Sequence, residues 1–378
     1  MSKARASALR IWIDGYEANV EQRLGSSQVA FELLKNLEGI DSDKIGVDQK
    51  NEYTVLLPSP PLGDLPKMRF GWRYRILKPK RLWTQIALPL ALFTARQKPD
   101  LIFSPTHYIP RFSPVKTVAT IFDLSFLHFP EMFNKKDLWQ LTNWTKFSAN
   151  NADHIITISN FSKQDMIAQY GIDKNKITVA YPGFNADVFK ERKTKEDNYI
   201  IYIGTLQPRK NLVRLIEALA RIEGDLKLVI VGKTTGEGRG GWKFEEILET
   251  PKKLGIENRV KFLGFVPTED LPDLLSGSLA FVLPSLWEGF GIPVVEAMAC
   301  GVPVIVSNVS SLPEVVGKAG VTVDPYSVDQ IEQAIRTVVS DKKLRQKYSK
   351  LGLLQAQKFS WDKMAKQVLK VFESVPFP

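Results

Sequence analysis

Four side chains in the second half of the chain suit a phosphorylated, hydroxyl-rich ligand. Glu288 and Glu296 are carboxylates eight positions apart, and Arg209-Lys210 is an adjacent pair of cations. A carboxylate accepts hydrogen bonds from two neighbouring hydroxyls, so the acid pair fits a sugar and a ribose better than it fits more negative charge. Arginine supplies a bidentate fork and lysine a point charge, a combination that grips a diphosphate. Both cations stand where a helix is expected to begin. There they oppose the helix dipole, so an ordinary basic turn has an electrostatic cost that a bound anion would relieve.

The acids need a particular scaffold, and Leu279–Gly301, LAFVLPSLWEGFGIPVVEAMACG, reads as one. Leu279–Leu283 is a short apolar run, as expected for a strand of a parallel sheet covered on both faces. Pro284 and Ser285 stop it, Gly289 and Gly291 allow a tight turn, and Pro293 suits the first position of a helix. Gly301 and Pro303 end that helix. The loop therefore presents backbone N–H groups at a helix start, a feature that favours an anion. Arg209-Lys210 occupies the equivalent place in GTLQPRKN, residues 204–211, after the strand Tyr199–Ile203. A third loop, Val231-Gly232-Lys233, also follows a strand.

These units repeat along the chain. At 378 residues the length predicts two domains of roughly 150–200 residues each. Strands are predicted at Leu9–Asp14, Tyr53–Leu57, Leu101–Phe103, Lys116–Phe122, Ile155–Ile158 and Ile177–Ala180. Helices are predicted at Val29–Leu37, Leu82–Arg96 and Leu138–Asn150. The run KERKTKEDN, residues 190–198, reads as a linker. Beyond it come strands at Leu226–Val231, Val260–Leu263 and Val304–Ser307, with helices at Leu212–Ala220, Phe244–Leu254 and Leu271–Leu275. After Asp324 the pattern is helical, with a last helix from Trp361 through Val371. Strands alternating with helices indicate βαβ units and parallel sheets, whose ligands sit in a cleft at the strand ends. The assignment is α/β, with domains at 1–190 and 191–360.

Composition narrows the class. A content of 44% apolar and 24% charged residues fits a globular protein, and no window approaches the ~20 apolar residues of a membrane span. The amino terminus lacks a secretory pattern, and the single cysteine, Cys300, excludes an internal disulfide framework or cysteine-rich metal site. A cytoplasmic location, Cys300 as a buried packing residue and no bound metal are the expectations. The net charge is +10, of which residues 1–190 contribute +7. Between Leu65 and Pro99 lie nine cations and no acid. Within this stretch Lys67–Arg81 interleaves the cations with Phe70, Trp72 and Tyr74, and Trp83 follows. The run suits either a solvated loop with its aromatics turned inward or a contact with an anionic membrane surface. Single-stranded nucleic acid uses similar chemistry, but no nucleic-acid module accompanies it and none is expected as a partner.

Taken in order, GTLQPRKN, VGK, RVKFLGFVPTEDLPDLL, PSLWEGFGIPVVEAMACGVPVIVSNVSSLPEVVG and FSW resemble the retaining family 4 glycosyltransferases, in their bacterial mannosyltransferase-like branch. The likeness covers nearly all of residues 200–365 and is looser at TIFDLSFLHFPEMF and ITISNFSKQDM. It implies the GT-B fold, two doubly wound Rossmann-like domains facing across a cleft, with the segment 361–378 packing back on the first and hinge closure completing the site. It implies transfer of a hexose from a nucleotide diphosphate sugar to a hydroxyl of a glycan, glycolipid or polyprenyl-linked acceptor in cell-envelope polysaccharide biosynthesis. GDP-mannose is the implied donor, with UDP- and ADP-sugars as alternatives, and no cofactor. The enzyme would be cytoplasmic or peripheral on the inner face of the plasma membrane.

By that resemblance Arg209, Lys210, Glu288 and Asp123 are catalytic. Glu288 contacts the transferred sugar and Glu296, the second acid of an E-x7-E motif, the ribose. Gly289, Phe290, Gly291 and Ile292 offer backbone groups; Gly204 and Lys233 line the donor; Phe265 and Val266 lie against the base; Gly25 lines the diphosphate from the first domain. One departure is visible: many relatives carry His-Asp where this chain has Phe122-Asp123, and Phe122 cannot donate a hydrogen bond. His107 is the histidine that could face the cleft in its stead, while His128 and His154 read as structural. Two carboxylates would also fit a glycoside hydrolase, which has no need of a diphosphate clamp. Two rivals stay open: a nucleotide-sugar epimerase of the same fold, and a non-catalytic binder of polyanions or membrane.

Overall fold

The computed structural model describes residues 8–23, 25–42, 51–232 and 244–375. The chain forms two compact units. One comprises Met1–Leu124, Trp139–Pro182 and Trp361–Pro378, the other Ser125–Leu138 and Gly183–Ser360.

The first unit is built on a seven-stranded sheet. Its strands are β1 (Arg10–Asp14), β2 (Glu52–Leu57), β3 (Trp72–Ile76), β4 (Leu101–Ser104), β5 (Lys116–Thr120), β6 (His154–Thr157) and β7 (Ile177–Val179). They lie in the order β3-β2-β1-β4-β5-β6-β7, and every pairing is parallel. The central strands are buried apolar runs, as a sheet covered on both faces requires. The helix Trp361–Ser374 packs against the helix Ser26–Ser42, burying Met364, Val368 and Phe372. Phe372 meets Phe103 of β4 edge-on at 5.1 Å. Each such side chain contributes roughly 2 kcal/mol on leaving water.

The second unit carries a six-stranded sheet of β8 (Tyr199–Ile203), β9 (Lys227–Val231), β10 (Val260–Gly264), β11 (Ala280–Leu283), β12 (Val304–Ser307) and β13 (Gly320–Val323). Its order is β10-β9-β8-β11-β12-β13, again parallel throughout. The order reverses between β8 and β11, whose loops carry Arg209-Lys210 and Glu288. Helices flank the sheet with the expected periodicity; Val328–Ser340 buries Ile331, Ala334, Ile335 and Val338 and is capped by Ser327, whose side chain accepts from Gln330 N–H.

Several elements differ from the sequence reading, among them the helices Asn160–Tyr170 and Leu312–Val316, which it lacks. The expected helix Leu82–Arg96 is a π-helical turn, Trp83–Ala87, followed by a short α-helix, Leu88–Phe93. Pro89 sits at the start of that α-helix, where its missing N–H costs nothing. Strand β3 lies inside the basic aromatic run that was not assigned regular structure, and β13 was not foreseen. The run turns most of its aromatics inward: Trp72 and Trp83 are buried, and Tyr74 is half-buried with its hydroxyl donating to Pro66 O at 2.6 Å. Phe70 alone of the four is exposed, at 88%.

Candidate active site

Three loops at the carboxyl edge of the six-stranded sheet assemble the site, at the point where the strand order reverses and α/β folds place their ligands. The loop after β8 runs through the 3-10 turn Pro208–Lys210 to Asn211, which adopts a left-handed backbone, φ 64°, that asparagine tolerates. Asn211 Nδ2 donates to Pro284 O at 2.9 Å and to Pro325 O at 2.6 Å. Leu286 N–H donates to Arg209 O at 2.8 Å. The cation-bearing loop and the carboxylate-bearing loop are therefore joined by backbone contacts as well as by charge.

Glu288 is the centre of the cluster. Lys210 Nζ donates to its Oε1 at 2.5 Å, and Arg209 Nη1 lies 3.5 Å from its Oε2. The three side chains are 12%, 19% and 8% exposed for Lys210, Arg209 and Glu288. Ser285 Oγ donates to Glu288 Oε1 at 2.7 Å, and Arg209 Nη1 donates to Trp287 O at 2.8 Å. Burial alone would raise the Glu288 carboxyl; the charges of Lys210 and Arg209 and the hydrogen bonds from Lys210 and Ser285 outweigh it and hold the carboxyl below its usual range. Two cations against one acid leave one positive charge in surplus. Coulomb interactions are strengthened in such a buried place, so the surplus favours an anionic ligand.

The loop after β12 supports the carboxylate from the other side. Ser310, at φ 58°, accepts from Glu288 N–H at 3.1 Å, and Ser311 Oγ donates to Glu288 O at 2.8 Å. Ser307 Oγ donates to Ser285 O at 2.6 Å. The Glu288 backbone thus makes its own bonds, and its position does not depend on the ion pair. Gly291 caps the helix Ile292–Ala299 at φ 102°, where a side chain would be strained and would meet Leu312 Cδ2 at 2.8 Å. Among the described residues Gly289 and Gly291 donate their N–H groups to no protein acceptor.

Glu296 lies on that helix, half-buried, its carboxyl without a hydrogen-bond partner among the described residues, and burial pushes that carboxyl up to about 8. Gly204 follows β8, and Gly232 follows β9 so closely that a Cβ there would lie 1.9 Å from Gly204 O. Phe265 and Val266 follow β10; Phe265 is 55% exposed and Val266 half-buried. The Phe290 side chain is buried edge-on against Phe359 at 5.3 Å, so only its backbone faces the loop. Lys233 lies outside the described residues. Gly25, at φ 57° before the helix Ser26–Ser42, and Asp123, half-buried after β5, belong to the first unit. There His107 packs its ring edge-on against Phe122 at 5.2 Å.

Several members were not legible beforehand. Ser285, Ser310 and Ser311 hold Glu288, but only Ser285, three positions away, is near it in sequence. The His128 ring stacks on Trp287 at 4.1 Å, next to Glu288, through a contact between distant segments of the second unit. His154 pairs with Thr178 Oγ1 at 2.8 Å within the first sheet. Cys300 is buried, and among the described residues no group of acids, histidines or cysteine has metal-site geometry.

Residues 184–355 match the family described as Glycosyl transferases group 1, and residues 47–188 match Glycosyltransferase Family 4. The chain is 32% identical over 314 residues to the Escherichia coli protein described as O-antigen chain mannosyltransferase B, covering 79% of each. It is 28% identical to an E. coli protein described as Serotype-specific mannosyltransferase WbdA, covering 68% of this chain and 33% of that longer protein. Among solved structures, a sucrose-phosphate synthase from Thermosynechococcus elongatus aligns with a TM-score of 0.75 at 19% identity, over 96% of this chain and 98% of that one. With two parallel α/β sheets, both family matches and a mannosyltransferase relative aligned over most of its length, the chain belongs to the family 4 glycosyltransferases of GT-B fold, in their bacterial mannosyltransferase-like branch.

Proposed function

We propose that this glycosyltransferase moves mannose from GDP-mannose to a hydroxyl of a glycan or polyprenyl-linked acceptor, with the anomeric configuration retained. The buried cluster of Arg209, Lys210 and Glu288 is the observation that carries the reading. Its surplus positive charge suits the diphosphate that departs when the bond between the sugar C1 and the phosphate oxygen breaks. Fixed charges aimed at a leaving group are worth a few kcal/mol of barrier each. As C1 bonds to the acceptor oxygen, the acceptor proton passes to the departing diphosphate, so no protein nucleophile is needed. Glu288, fixed by Ser285 and by its own backbone, is suited to receive sugar hydroxyls. Glu296 takes the ribose hydroxyls, and Asp123 and Gly25 serve from the first unit. Gly204, Lys233, Phe265, Val266 and the backbone of Gly289–Ile292 complete the donor contacts. The mannosyltransferase names of the relatives support the sugar and a glycan acceptor. UDP- and ADP-sugars are the alternative donors.

No helix among the described residues is long and apolar enough to cross a membrane. The reading includes a lipid-linked acceptor met by peripheral contact with the membrane. With an enzyme in hand, a purely binding protein is set aside; an epimerase would consume donor without acceptor.

The test supplies GDP-mannose, UDP-glucose and ADP-glucose with and without an oligosaccharide or polyprenyl-linked acceptor and follows products by NMR. Acceptor-dependent transfer with retained configuration is expected from GDP-mannose. Arg209→Ala and Lys210→Ala should each lower kcat/KM by about a hundredfold or more. Intact activity in both variants would overturn the assignment, and turnover of donor alone would favour the epimerase.

A further inference from the structure

The seven-stranded sheet carries a second basic site, away from the strand ends where its substrates belong. A cavity of 510 Å³ opens where Arg10 and Glu52 begin β1 and β2, with Arg73 and Arg75 of β3 and Arg96 around it. Trp12 forms part of its wall, and the Arg75 guanidinium lies 5.3 Å from the Trp12 ring. Four guanidinium groups against the carboxylate of Glu52, with that of Asp100 beside Arg10 N–H at 2.8 Å, leave the site net positive. That carboxylate is itself occupied by Arg73 Nη2 at 3.3 Å, and Arg73 Nε donates to Thr54 Oγ1. Ligands of α/β sheets bind beyond the carboxyl ends of the strands. This cavity lies mainly over the amino-terminal halves of β1 and β2, away from those ends.

A second observation adjoins the first. The helical segment leading to Arg96 exposes Ile86, Leu90 and Phe93, the last two 55% and 57% exposed, while Ala87, Leu88, Ala91 and Leu92 are buried against the sheet. Ala95 and Arg96 of the cavity follow Phe93 after the single residue Thr94, so apolar face and guanidinium pocket are neighbours along the chain. The sequence around these residues adds no negative charge, since no acid occurs between Leu65 and Pro99.

We propose that this cavity receives the phosphate of an anionic phospholipid headgroup, with Ile86, Leu90 and Phe93 entering the acyl boundary beside it. Guanidinium groups bind phosphate oxygens in pairs, and an apolar helix face next to a cationic rim suits a lipid interface. A soluble phosphate would use the pocket but leave the apolar face without purpose. Single-stranded nucleic acid would need exposed stacking rings along the cavity, and its lining rings, Trp12 and Tyr74, are buried and half-buried. The site gives the peripheral contact inferred above a place on the protein, yet its test requires neither donor nor acceptor.

Flotation of the full chain would be measured with phosphatidylcholine vesicles and with vesicles containing about 30 mol% phosphatidylglycerol. Binding is expected only to the second. The variant Arg10→Gln/Arg75→Gln/Arg96→Gln should weaken it by roughly a hundredfold, three surface cations having been removed. Leu90→Ser/Phe93→Ser should weaken it while leaving the cations in place. Melting temperature and nucleoside diphosphate binding should stay as in the parent, so a lost membrane contact is distinguished from misfolding or from failure of the donor reading. Equal vesicle binding by the arginine variant would overturn the site. Stabilisation of the parent by inorganic phosphate, with no vesicle binding, would overturn the lipid and assign a soluble phosphate instead.

Discussion

Replacing Glu296 by glutamine should make the protein more stable at alkaline pH and leave it little changed in acid. In the unfolded chain this carboxyl ionises near 4.5, and in the native protein burial moves it to about 8. Between these values the native state keeps a proton that the unfolded state has lost, so stability falls as pH rises through the window. Below 4.5 both states are protonated and the group contributes nothing; above 8 the loss is complete. At about 1.4 kcal/mol for each pH unit, the window amounts to about 5 kcal/mol at most. Water reaching the half-buried helix face reduces this, and a difference of about 2–4 kcal/mol is expected. Asp14, which burial pushes up to about 7, acts in the same direction but is common to both proteins and cancels in the comparison. Urea unfolding of parent and Glu296→Gln from about pH 5 to about pH 9 measures the difference. Parallel stability curves across that range would refute the reasoning. On the proposed ribose role, donor binding favours the carboxylate, so donor affinity of the parent should rise toward pH 8 and that of the variant should not.

Two further substitutions test the loop cluster. Gly232→Ala places a Cβ 1.9 Å from Gly204 O, where backbone must move, and should cost roughly 2–4 kcal/mol; an unchanged melting temperature would contradict this close approach. Ser285→Ala removes the 2.7 Å bond to Glu288 Oε1 and should cost about 1–3 kcal/mol near neutral pH. Because the native Glu288 carboxyl is depressed, that deficit should shrink as pH falls below 4.5 and through its native value; a deficit constant with pH would show that Ser285 acts through packing alone.

The strands that were readable in advance are those whose side chains face apolar layers on both sides. AFVL in β11 and VIVS in β12 announce themselves because nothing polar interrupts them. The loops after them were readable because glycine and proline mark where a strand must stop. Strand β3 is hard to read although WRYRI alternates with period two, because the charge run around it has the composition of a solvated loop. It pairs only with β2, on the sheet's edge, where long cationic side chains stay in water while Trp72 packs inward. The direct pairing of Glu288 with Lys210 was beyond reach for a different reason. It depends on β8 and β11 being neighbours, a fact of sheet order that no local pattern records. The same holds for Ser310, whose hydroxyl matters only because β12 brings its loop beside β11.

The helix Trp361–Ser374 belongs to the unit whose first strand begins at Arg10, so that unit's core draws on both extremes of the sequence. During synthesis the whole of Gly183–Ser360 emerges before the segment that packs on the helix Ser26–Ser42 and on Phe103. The second unit can therefore finish folding while the first still has an apolar face open to the cell. Domains usually consolidate in order of emergence, amino terminus first; here the order is inverted for the final step. The helix Trp361–Ser374 acts as a closing piece of the earlier-made half, whose apolar face stays open until it arrives.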